Sequence, residues 1–208
     1  MTTNTIEQFF DRLASRWDED QDCPSEVKRA LLEKVGIGEG AHVLDVACGT
    51  GAITEELHAL TGERVLGIDL SGEMINVAKS KFAGKDWARF EKADFLKFEP
   101  NGLALFENDG QQKQKGGAFI VIYNAYPHFM DVSALAKKAY ELLPSGGKLA
   151  IIHSIGRACL NSHHKQHADH VSRMIGSPIE EAKSFAPLFD VQLTEEDDKH
   201  YLLVLSKR

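Results

Sequence analysis

A strand-like segment that runs directly into a glycine-containing loop constrains the fold of this chain more than any other feature. Residues 41–47 (AHVLDVA) form a short, largely apolar run, which is typical of a buried β-strand. The tetrapeptide CGTG follows at 48–51, and residues 52–60 have the composition of a helix. Glycines let the backbone approach a ligand closely, and the N-terminus of the following helix favours a negative group. The sequence therefore predicts a strand, a ligand-binding turn and a helix.

Strand-like and helix-like segments alternate along most of the chain. Helices that connect parallel strands produce this alternation, so we predict a doubly wound α/β fold with a mostly parallel, seven-stranded sheet. The last strand is predicted to be antiparallel, because a short acidic turn separates the two final strand-like segments. The predicted strands are residues 41–47, 64–69, 88–92, 119–123, 148–153, 189–193 and 201–205. The predicted helices are residues 7–17, 24–36, 52–60, 132–143 and 156–175, with a further helix that begins after Ser71.

The length of the chain predicts one domain that covers residues 1–208. Within it, we expect residues 1–36 to form a helical cap and residues 154–176 to form a helical cover after the fifth strand. Residues 101–117 are polar and rich in glutamine, lysine and glycine, which predicts a long loop. The short cap and cover suit a small-molecule pocket better than a groove for a polymer.

Charge and composition exclude several classes of partner. The net charge is -7 and the pI is near 5.7, so no global positive field would attract nucleic acid or an anionic membrane. No apolar run approaches the ~18 residues of a membrane span. Three cysteines, Cys23, Cys48 and Cys159, are too few and too scattered for a disulfide framework. We expect a cytoplasmic protein with a small-molecule partner, and the sequence does not indicate its oligomeric state.

Acidic residues stand at successive strand ends. Asp69 ends the second predicted strand, 18 residues beyond Gly51, where a carboxylate can accept hydrogen bonds from both hydroxyls of a ribose. Asp94 follows the third strand, where a carboxylate can accept from the amino group of adenine. Ligands of open α/β sheets bind beyond the carboxyl ends of the strands. Together with Asp45 of the first strand, these residues favour a ligand with a ribose, an adenine and no phosphate; a nicotinamide dinucleotide is the alternative.

Four segments, in this order, resemble the successive motifs of class I S-adenosylmethionine (SAM)-dependent methyltransferases. They are VLDVACGTG at 43–51, GIDLS at 67–71, ADF at 93–95 and LLPSGGKL at 142–149. Residues 9–18 (FFDRLASRWD) are similar to the helix that covers the SAM site in quinone-biosynthesis-type members. One departure is the pair Phe119-Ile120, where many members carry Phe-Asp. The resemblance implies a methyltransferase that uses SAM.

The same resemblance implies roles for ten residues in SAM binding. The assignments are Gly49 and Gly51 beneath the methionine part, Asp45 at the methionine amino group, Asp69 at the ribose, Asp94 and Phe95 at the adenine, Leu70 and Met74 beside the adenosine, with Ala47 and Asn124 also at the site.

Histidines concentrate near the ends of the fourth and fifth predicted strands. His128 follows the fourth strand within NAYPHF, and His153 ends the fifth. In the helix predicted next, Arg157, Asn161 and His164 are spaced four and three apart, so they share one face. These segments resemble a group of methyltransferase-like proteins with N-x-x-P-H-F and H-S-x-x-R-x-x-x-N-x-x-H patterns.

Three interpretations of these residues stay open. His128, His153 and His164 could bind a divalent metal such as zinc, with Arg157 steering an anionic substrate. One histidine could instead act as a general base without a metal. The histidines could also be ordinary hydrogen-bonded residues beneath a cover. The alternative to an enzyme is a regulatory or interaction protein that binds SAM without turnover.

Overall fold

Seven strands form one sheet in the computed structural model, which describes residues 3–20, 23–100, 116–167 and 171–208. The strands are β1 (His42–Val46), β2 (Val65–Asp69), β3 (Ala88–Lys92), β4 (Ala118–Tyr123), β5 (Lys148–His153), β6 (Phe189–Glu196) and β7 (Tyr201–Lys207). Their order in the sheet is β3-β2-β1-β4-β5-β7-β6. All pairings are parallel except those of β7 with β5 and β6, which confirms the predicted sheet.

Seven α-helices accompany the sheet in the described ranges. They are α1 (Thr3–Leu13), α2 (Ser25–Lys34), α3 (Thr54–Thr61), α4 (Gly72–Lys81), α5 (Val132–Leu142), α6 (Arg157–His167) and α7 (Pro178–Ala182), and 3-10 segments occupy Ala14–Asp20, Phe95–Lys97 and Tyr126–His128. Within these ranges we find no helix with the length and apolar character that crossing a bilayer requires.

The sheet is covered on both faces because side chains alternate along each strand. In β1, Leu44 packs in one apolar cluster with Leu135 of α5. Val43, on the opposite face, packs in a second cluster with Leu32 of α2 and Leu57 of α3. All six residues of β4 are buried, as expected for a central strand of a parallel sheet covered on both faces. The architecture is the doubly wound α/β fold that the alternation of segments predicts.

The order of the strands reverses beside β1. This strand pairs in parallel with β2 on one side and with β4 on the other, so the carboxyl ends of all three meet at one edge. The connections from these ends leave the sheet in opposite directions and open a crevice between them. Such a switch point is where open α/β sheets bind ligands. The topology therefore places the functional site at the ends of β1, β2 and β4.

Three segments differ from the sequence-based expectations. The helix expected at 7–17 divides into α1 and the 3-10 segment Ala14–Asp20. The helix expected at 156–175 is too long, because residues 171–177 have no helical structure and their backbone is bound instead by side chains such as Asn161. Helix α7 was not expected, although Ser177 and Glu180 carry the signal of a capping box. Most of the loop expected at 101–117 lies outside the described residues.

Candidate functional site

A cavity of about 540 Å³ lies at the carboxyl ends of β1, β2 and β4. Its volume falls in the range that is typical of sites for small molecules and cofactors. Strand ends and their loops form the floor, and α1 with the following 3-10 segment forms the roof through Ile6, Phe10 and Trp17. Eight of the ten residues predicted to bind SAM line this cavity, and Asp45 and Gly51 do not.

The two glycines of the loop after β1 have different surroundings. Gly49 has a φ of +55°, and a Cβ placed on it would lie 3.8 Å from Nε1 of Trp17 at the cavity. Gly51 has a φ of +81°, and its Cβ would lie 2.8 Å from Cε2 of Phe82 and 3.3 Å from Cε1 of Phe90. Gly49 thus leaves space for a ligand, whereas Gly51 lets the loop pack against aromatic side chains.

Asp69 joins the glycine loop to the start of α4. Its Oδ2 accepts a hydrogen bond from the Gly49 N–H at 2.8 Å, and its Oδ1 accepts one from the Ser71 N–H at 2.8 Å. Burial raises the pKa of the Asp69 carboxyl, and the charge of Asp11 adds to this increase against the opposing effect of the N–H donors. Each carboxylate oxygen keeps a second lone pair, so the group can still accept from a ligand in the cavity.

Asp45 is a buried carboxylate that lacks a full set of hydrogen bonds. It is 1% exposed, and no described residue donates to its Oδ2. Burial raises the pKa of Asp45 well above its ordinary value, and the charge of Asp69 raises it further. Asp45 directly precedes Val46 and Ala47, which line the cavity. An unsatisfied buried carboxylate beside a cavity fits a cationic ligand group, reached directly or through water.

Replacing Asp45 by asparagine is expected to stabilise the ligand-free protein by roughly 1–2 kcal/mol near neutral pH. Asparagine has nearly the same shape as aspartate, so the change removes a buried charge without altering the packing. The folded-state pKa of Asp45 is raised, so the stability it confers is present at low pH and is lost as the pH rises through that raised value. The advantage of the variant should therefore grow with pH and vanish below about pH 4.

Urea unfolding of both proteins between about pH 4 and pH 8 measures this difference. Asp190→Asn is the control, because Asp190 is an exposed partner of Arg208 and its replacement should change little. A variant that is less stable than the parent protein at the upper end of this range would contradict the argument.

The far end of the cavity combines a carboxylate with apolar side chains. Asp94 lines it, and its Oδ1 accepts a hydrogen bond from the Leu96 N–H at 3.1 Å. Phe95, Leu70 and Met74 line the same region. An apolar slot with one hydrogen-bond acceptor at its rim has the chemistry that a flat base with an exocyclic amino group requires. The roles predicted for these four residues are compatible with their positions.

The roof is attached to the body by two aspartates. Asp11 accepts a hydrogen bond from Ser71 Oγ at 2.5 Å, at the N-terminus of α4. Asp18 accepts one from Thr50 Oγ1 at 2.5 Å and forms an ion pair with Lys81 at 3.0 Å. Because Thr50 belongs to the glycine loop, the same loop contacts both the cavity and its roof. A ligand in this cavity would be largely shielded from water.

Two residues without the freedom of glycine adopt left-handed backbone conformations beside the cavity. Ala47, after β1, has a φ of 57°, and Asn124, after β4, has a φ of 54°. The Asn124 side chain donates to Ser154 Oγ at 2.9 Å and accepts from the Ser154 N–H at 2.9 Å, which links the ends of β4 and β5. Strain of this kind is common at ligand sites. These left-handed conformations turn both chain segments at the cavity floor.

His128 is the histidine that the structure brings to the cavity. Its Nδ1 lies 2.8 Å from the Val171 carbonyl oxygen, and its ring meets the Phe10 ring edge-on at 4.9 Å. A carbonyl oxygen only accepts, so Nδ1 carries the proton of this hydrogen bond. In the neutral ring the lone pair is then on Nε2. His128 is held between the roof and the segment 171–177.

Two of the other predicted catalytic residues, His153 and Arg157, do not line the cavity. His153 is fully buried opposite Tyr201 of β7, at a ring distance of 5.7 Å, and does not line the cavity. Arg157 binds Glu196 of β6 at 2.7 Å. The side chain of His164 lies outside the described residues. No group of three metal-ligating side chains occurs among those that are described. The metal triad of His128, His153 and His164 therefore stays a prediction.

A polar network supports the wall that carries His128, and sequence reasoning missed it. Arg173 forms a two-point ion pair with Glu181, at 3.1 and 2.9 Å, and donates to the Phe129 carbonyl at 3.1 Å. Tyr126 donates to Glu181 at 2.6 Å. Burial opposes ionisation of Glu181, but hydrogen bonds from Arg173 and Tyr126 outweigh it and lower the pKa. The partners are distant in sequence, so the network could not be predicted from local patterns. The capping box at Ser177 could have indicated only the helix α7 that carries Glu181.

Known proteins are similar to this chain in both sequence and fold. Residues 43–147 match the family described as a methyltransferase domain. The O-methyltransferase cnsE of Penicillium expansum is 29% identical over 138 residues, which cover 63% of this chain and 46% of that protein. The ubiquinone/menaquinone biosynthesis C-methyltransferase UbiE of Geotalea daltonii is 29% identical over 154 residues, or 71% of this chain and 62% of that protein. The chain thus spans less than two thirds of these relatives.

Solved structures extend the similarity to nearly the whole chain. DhpI, in its complex with S-adenosylhomocysteine (SAH), superposes with a TM-score of 0.72 at 19% identity, covering 99% of this chain and 96% of its own. A SAM-dependent methyltransferase from Aquifex aeolicus gives a TM-score of 0.65 at 17% identity, with 100% of both chains covered. At these identities the likeness establishes the fold, which is Rossmann-like with an antiparallel strand β7.

Proposed function

The chain belongs to the methyltransferase domain family, and from this premise we propose that it transfers the methyl group of SAM to a small-molecule acceptor. The observation that carries the proposal is the roofed cavity at the switch point, which Gly49 and Asp69 border together. SAM, when bound, supplies an electrophilic methyl group on a sulfonium centre. The residues of the chain then have to hold the donor, align the acceptor and exclude water.

Three acidic residues are proposed to hold the donor. Asp69 would accept hydrogen bonds from the two ribose hydroxyls through its remaining lone pairs, and Asp94 would accept from the adenine amino group. Asp45 has an oxygen that no described residue satisfies, and the ammonium of the methionine part would satisfy it. SAM carries a net positive charge at its sulfonium and amino groups beside its carboxylate. The excess of buried carboxylates in and beneath the cavity complements that charge.

His128 is proposed to hold the proton that the acceptor loses. The Val171 carbonyl fixes Nδ1–H, so Nε2 is the basic nitrogen of the neutral ring. As the acceptor atom bonds to the methyl carbon, the carbon–sulfur bond breaks and its electron pair stays on sulfur. The proton of the acceptor passes to Nε2 and later to water. Aligning the acceptor in line with the methyl group supplies most of the remaining acceleration.

Two alternative interpretations of the sequence can each be tested by experiment. A zinc-bound acceptor site at His128, His153 and His164 predicts stoichiometric metal in protein purified without a histidine tag, and loss of activity in chelator. A SAM-binding regulatory protein predicts saturable SAH binding with no SAH release from SAM across acceptor panels. The names of the relatives include an O- and a C-methyltransferase, so the acceptor atom of this chain is left to experiment.

Calorimetric titration with SAH and, separately, with NAD tests the first half of the proposal. We expect binding of SAH and no measurable binding of NAD, because the cavity is lined by carboxylates and by no described lysine or arginine that could bind a pyrophosphate. Release of SAH from SAM in the presence of an acceptor panel tests the second half. Tighter binding of NAD than of SAH would overturn the proposal.

Replacing His128 by glutamine is expected to lower kcat by about 100-fold and to leave the SAH dissociation constant nearly unchanged. The pH–rate profile should also lose its rising limb, which a residue of merely structural importance would not control. The control is His58→Gln, because His58 also bonds a backbone carbonyl through Nδ1, at 2.9 Å from Glu63, but lies on α3 away from the cavity. Equal losses in the two variants would argue against a base at His128.

A further inference from the structure

The charged groups that line the cavity are almost all of one sign. Asp69, Asp94 and Asp131 are carboxylates at its wall, and His128 is the remaining titratable imidazole. Among the described residues, no lysine or arginine lines the cavity. An acceptor with a carboxylate or phosphate group would therefore find negative side chains and no described lysine or arginine of the cavity lining to bind it.

Five cations near the rim and behind the walls of the cavity are already paired. Lys81 binds Asp18 and Lys92 binds Glu7, so both neutralise carboxylates of the roof. Lys97 lies 3.1 Å from Asp94. Of the two arginines that follow β5 closely, Arg157 is bound by Glu196, and Arg173 is bound by Glu181 and stacks over the Tyr126 ring at 4.6 Å. Recruiting any of them for an anionic acceptor would break an existing ion pair.

Aromatic rings line the cavity that contains His128, and Phe10 contacts the His128 ring directly. Phe10 and Trp17 come from the roof, Tyr123 from the end of β4, and Phe129 from the segment that follows His128. Phe10 contacts both the Trp17 ring, at 5.6 Å, and the His128 ring, at 4.9 Å. Flat side chains in edge-on contact present apolar faces and edges, which favour another flat, uncharged ring between them.

We propose that the methyl acceptor is an uncharged aromatic compound that presents a phenolic hydroxyl to His128. This inference rests on the proposed methyl transfer and adds the chemical class of its acceptor. A phenol, with a pKa near 10 like that of tyrosine, gives its proton to an imidazole far more readily than an aliphatic hydroxyl does. The phenolic oxygen bonds to the methyl carbon, the carbon–sulfur bond breaks towards sulfur, and the proton passes to Nε2 of His128.

Matched pairs of probes that differ in charge test the proposal. The pairs are 3,4-dihydroxybenzyl alcohol with 3,4-dihydroxybenzoate, and 2-naphthol with 6-hydroxy-2-naphthoate. Titration calorimetry with the SAH-loaded protein, at about pH 8 so that the carboxyl groups of the probes are ionised, gives the dissociation constants. We expect the uncharged member of at least one pair to bind about tenfold or more tightly than its carboxylate, and to release SAH when SAM is present.

A positive charge added at the cavity should weaken this preference. Met130 lines the cavity and is 38% exposed, so Met130→Lys adds a cation at its mouth with little effect on folding. Met174→Lys is the control, because Met174 is 50% exposed and does not line the cavity. We expect Met130→Lys to tighten binding of the carboxylates about fivefold, and Met174→Lys to leave it nearly unchanged.

The outcomes separate this inference from the proposed function. A protein that binds neither SAH nor SAM would remove the methyl-transfer proposal itself. A protein that binds SAH but prefers the carboxylates, or binds none of the four probes, would overturn the uncharged phenolic acceptor and leave methyl transfer standing. Equal effects of the two lysine variants would show that the overall charge of the protein, and not the cavity, controls the preference.

Discussion

Replacing Asp69 by asparagine is expected to weaken SAH binding by about 100-fold, or roughly 3 kcal/mol. The carboxylate can accept two charge-assisted hydrogen bonds from a ribose diol, and each is worth roughly 1.5–3 kcal/mol. Asparagine has one acceptor oxygen, and that oxygen would remain engaged with the Gly49 or Ser71 N–H. The amide nitrogen would then face the other N–H, so either the glycine loop or the start of α4 would also lose an acceptor.

The stability of this variant should change less than its affinity, because two effects oppose each other. The pKa of Asp69 is raised by burial, so its charge costs folding stability at neutral pH, and asparagine removes that cost. The N–H that is left without an acceptor, of Gly49 or of Ser71, costs roughly 1–3 kcal/mol in the other direction. Calorimetric titration with SAH measures the binding loss, and thermal unfolding of the ligand-free protein checks that the fold is retained.

Asp94→Asn is the matched control for Asp69. Asp94 also lines the cavity, but an amide oxygen can accept a hydrogen bond from adenine as a carboxylate does. We therefore expect a loss of less than about tenfold for Asp94→Asn. SAH affinity of the Asp69 variant within about threefold of the parent protein would contradict the role proposed for this carboxylate.

The fold could be predicted from local patterns because strand-like and helix-like segments alternate along the chain. β4 is a continuous apolar segment buried on both faces, and its helical neighbours are amphipathic, so only a covered parallel sheet satisfies both. The cluster of residues that lines the cavity at the ends of β1, β2 and β4 could be predicted for a similar reason. Its residues lie at the ends of consecutive strands, and the topology alone brings Asp69 beside Gly49.

The contacts of the residues proposed to act on the acceptor could not be predicted from local sequence patterns. Arg157 was expected to steer a substrate, but Glu196, 39 residues further along the chain, binds it. His153 ends β5 as predicted, yet its side chain points to the face where Tyr201 of β7 packs against it. Spacing places residues on a strand or helix, whereas the partner of each side chain depends on how β6, β7 and the segment 171–177 return to the sheet.

Replacing Gly51 by alanine is expected to lower the free energy of unfolding by roughly 3 kcal/mol. The backbone of Gly51 has a φ of +81°, which costs an L-residue roughly 1–2 kcal/mol. Its Cβ would also lie 2.8 Å from Phe82 and 3.2 Å from Oγ1 of Thr54, closer than van der Waals contact allows. Relieving that contact requires a shift of α4 or of the loop, which overpacks the cluster around Phe90. Urea unfolding measures the loss.

Gly84→Ala separates strain from crowding, because Gly84 has the same φ of +81° but no described atom lies within 4 Å of its Cβ position. It should lose only the roughly 1–2 kcal/mol of backbone strain. Adding Phe82→Leu to the Gly51→Ala protein should recover part of the stability, since leucine removes the ring carbon that the new methyl group meets. Equal losses at Gly51 and Gly84, with no coupling to Phe82, would mean that Gly51 is required for its backbone conformation alone.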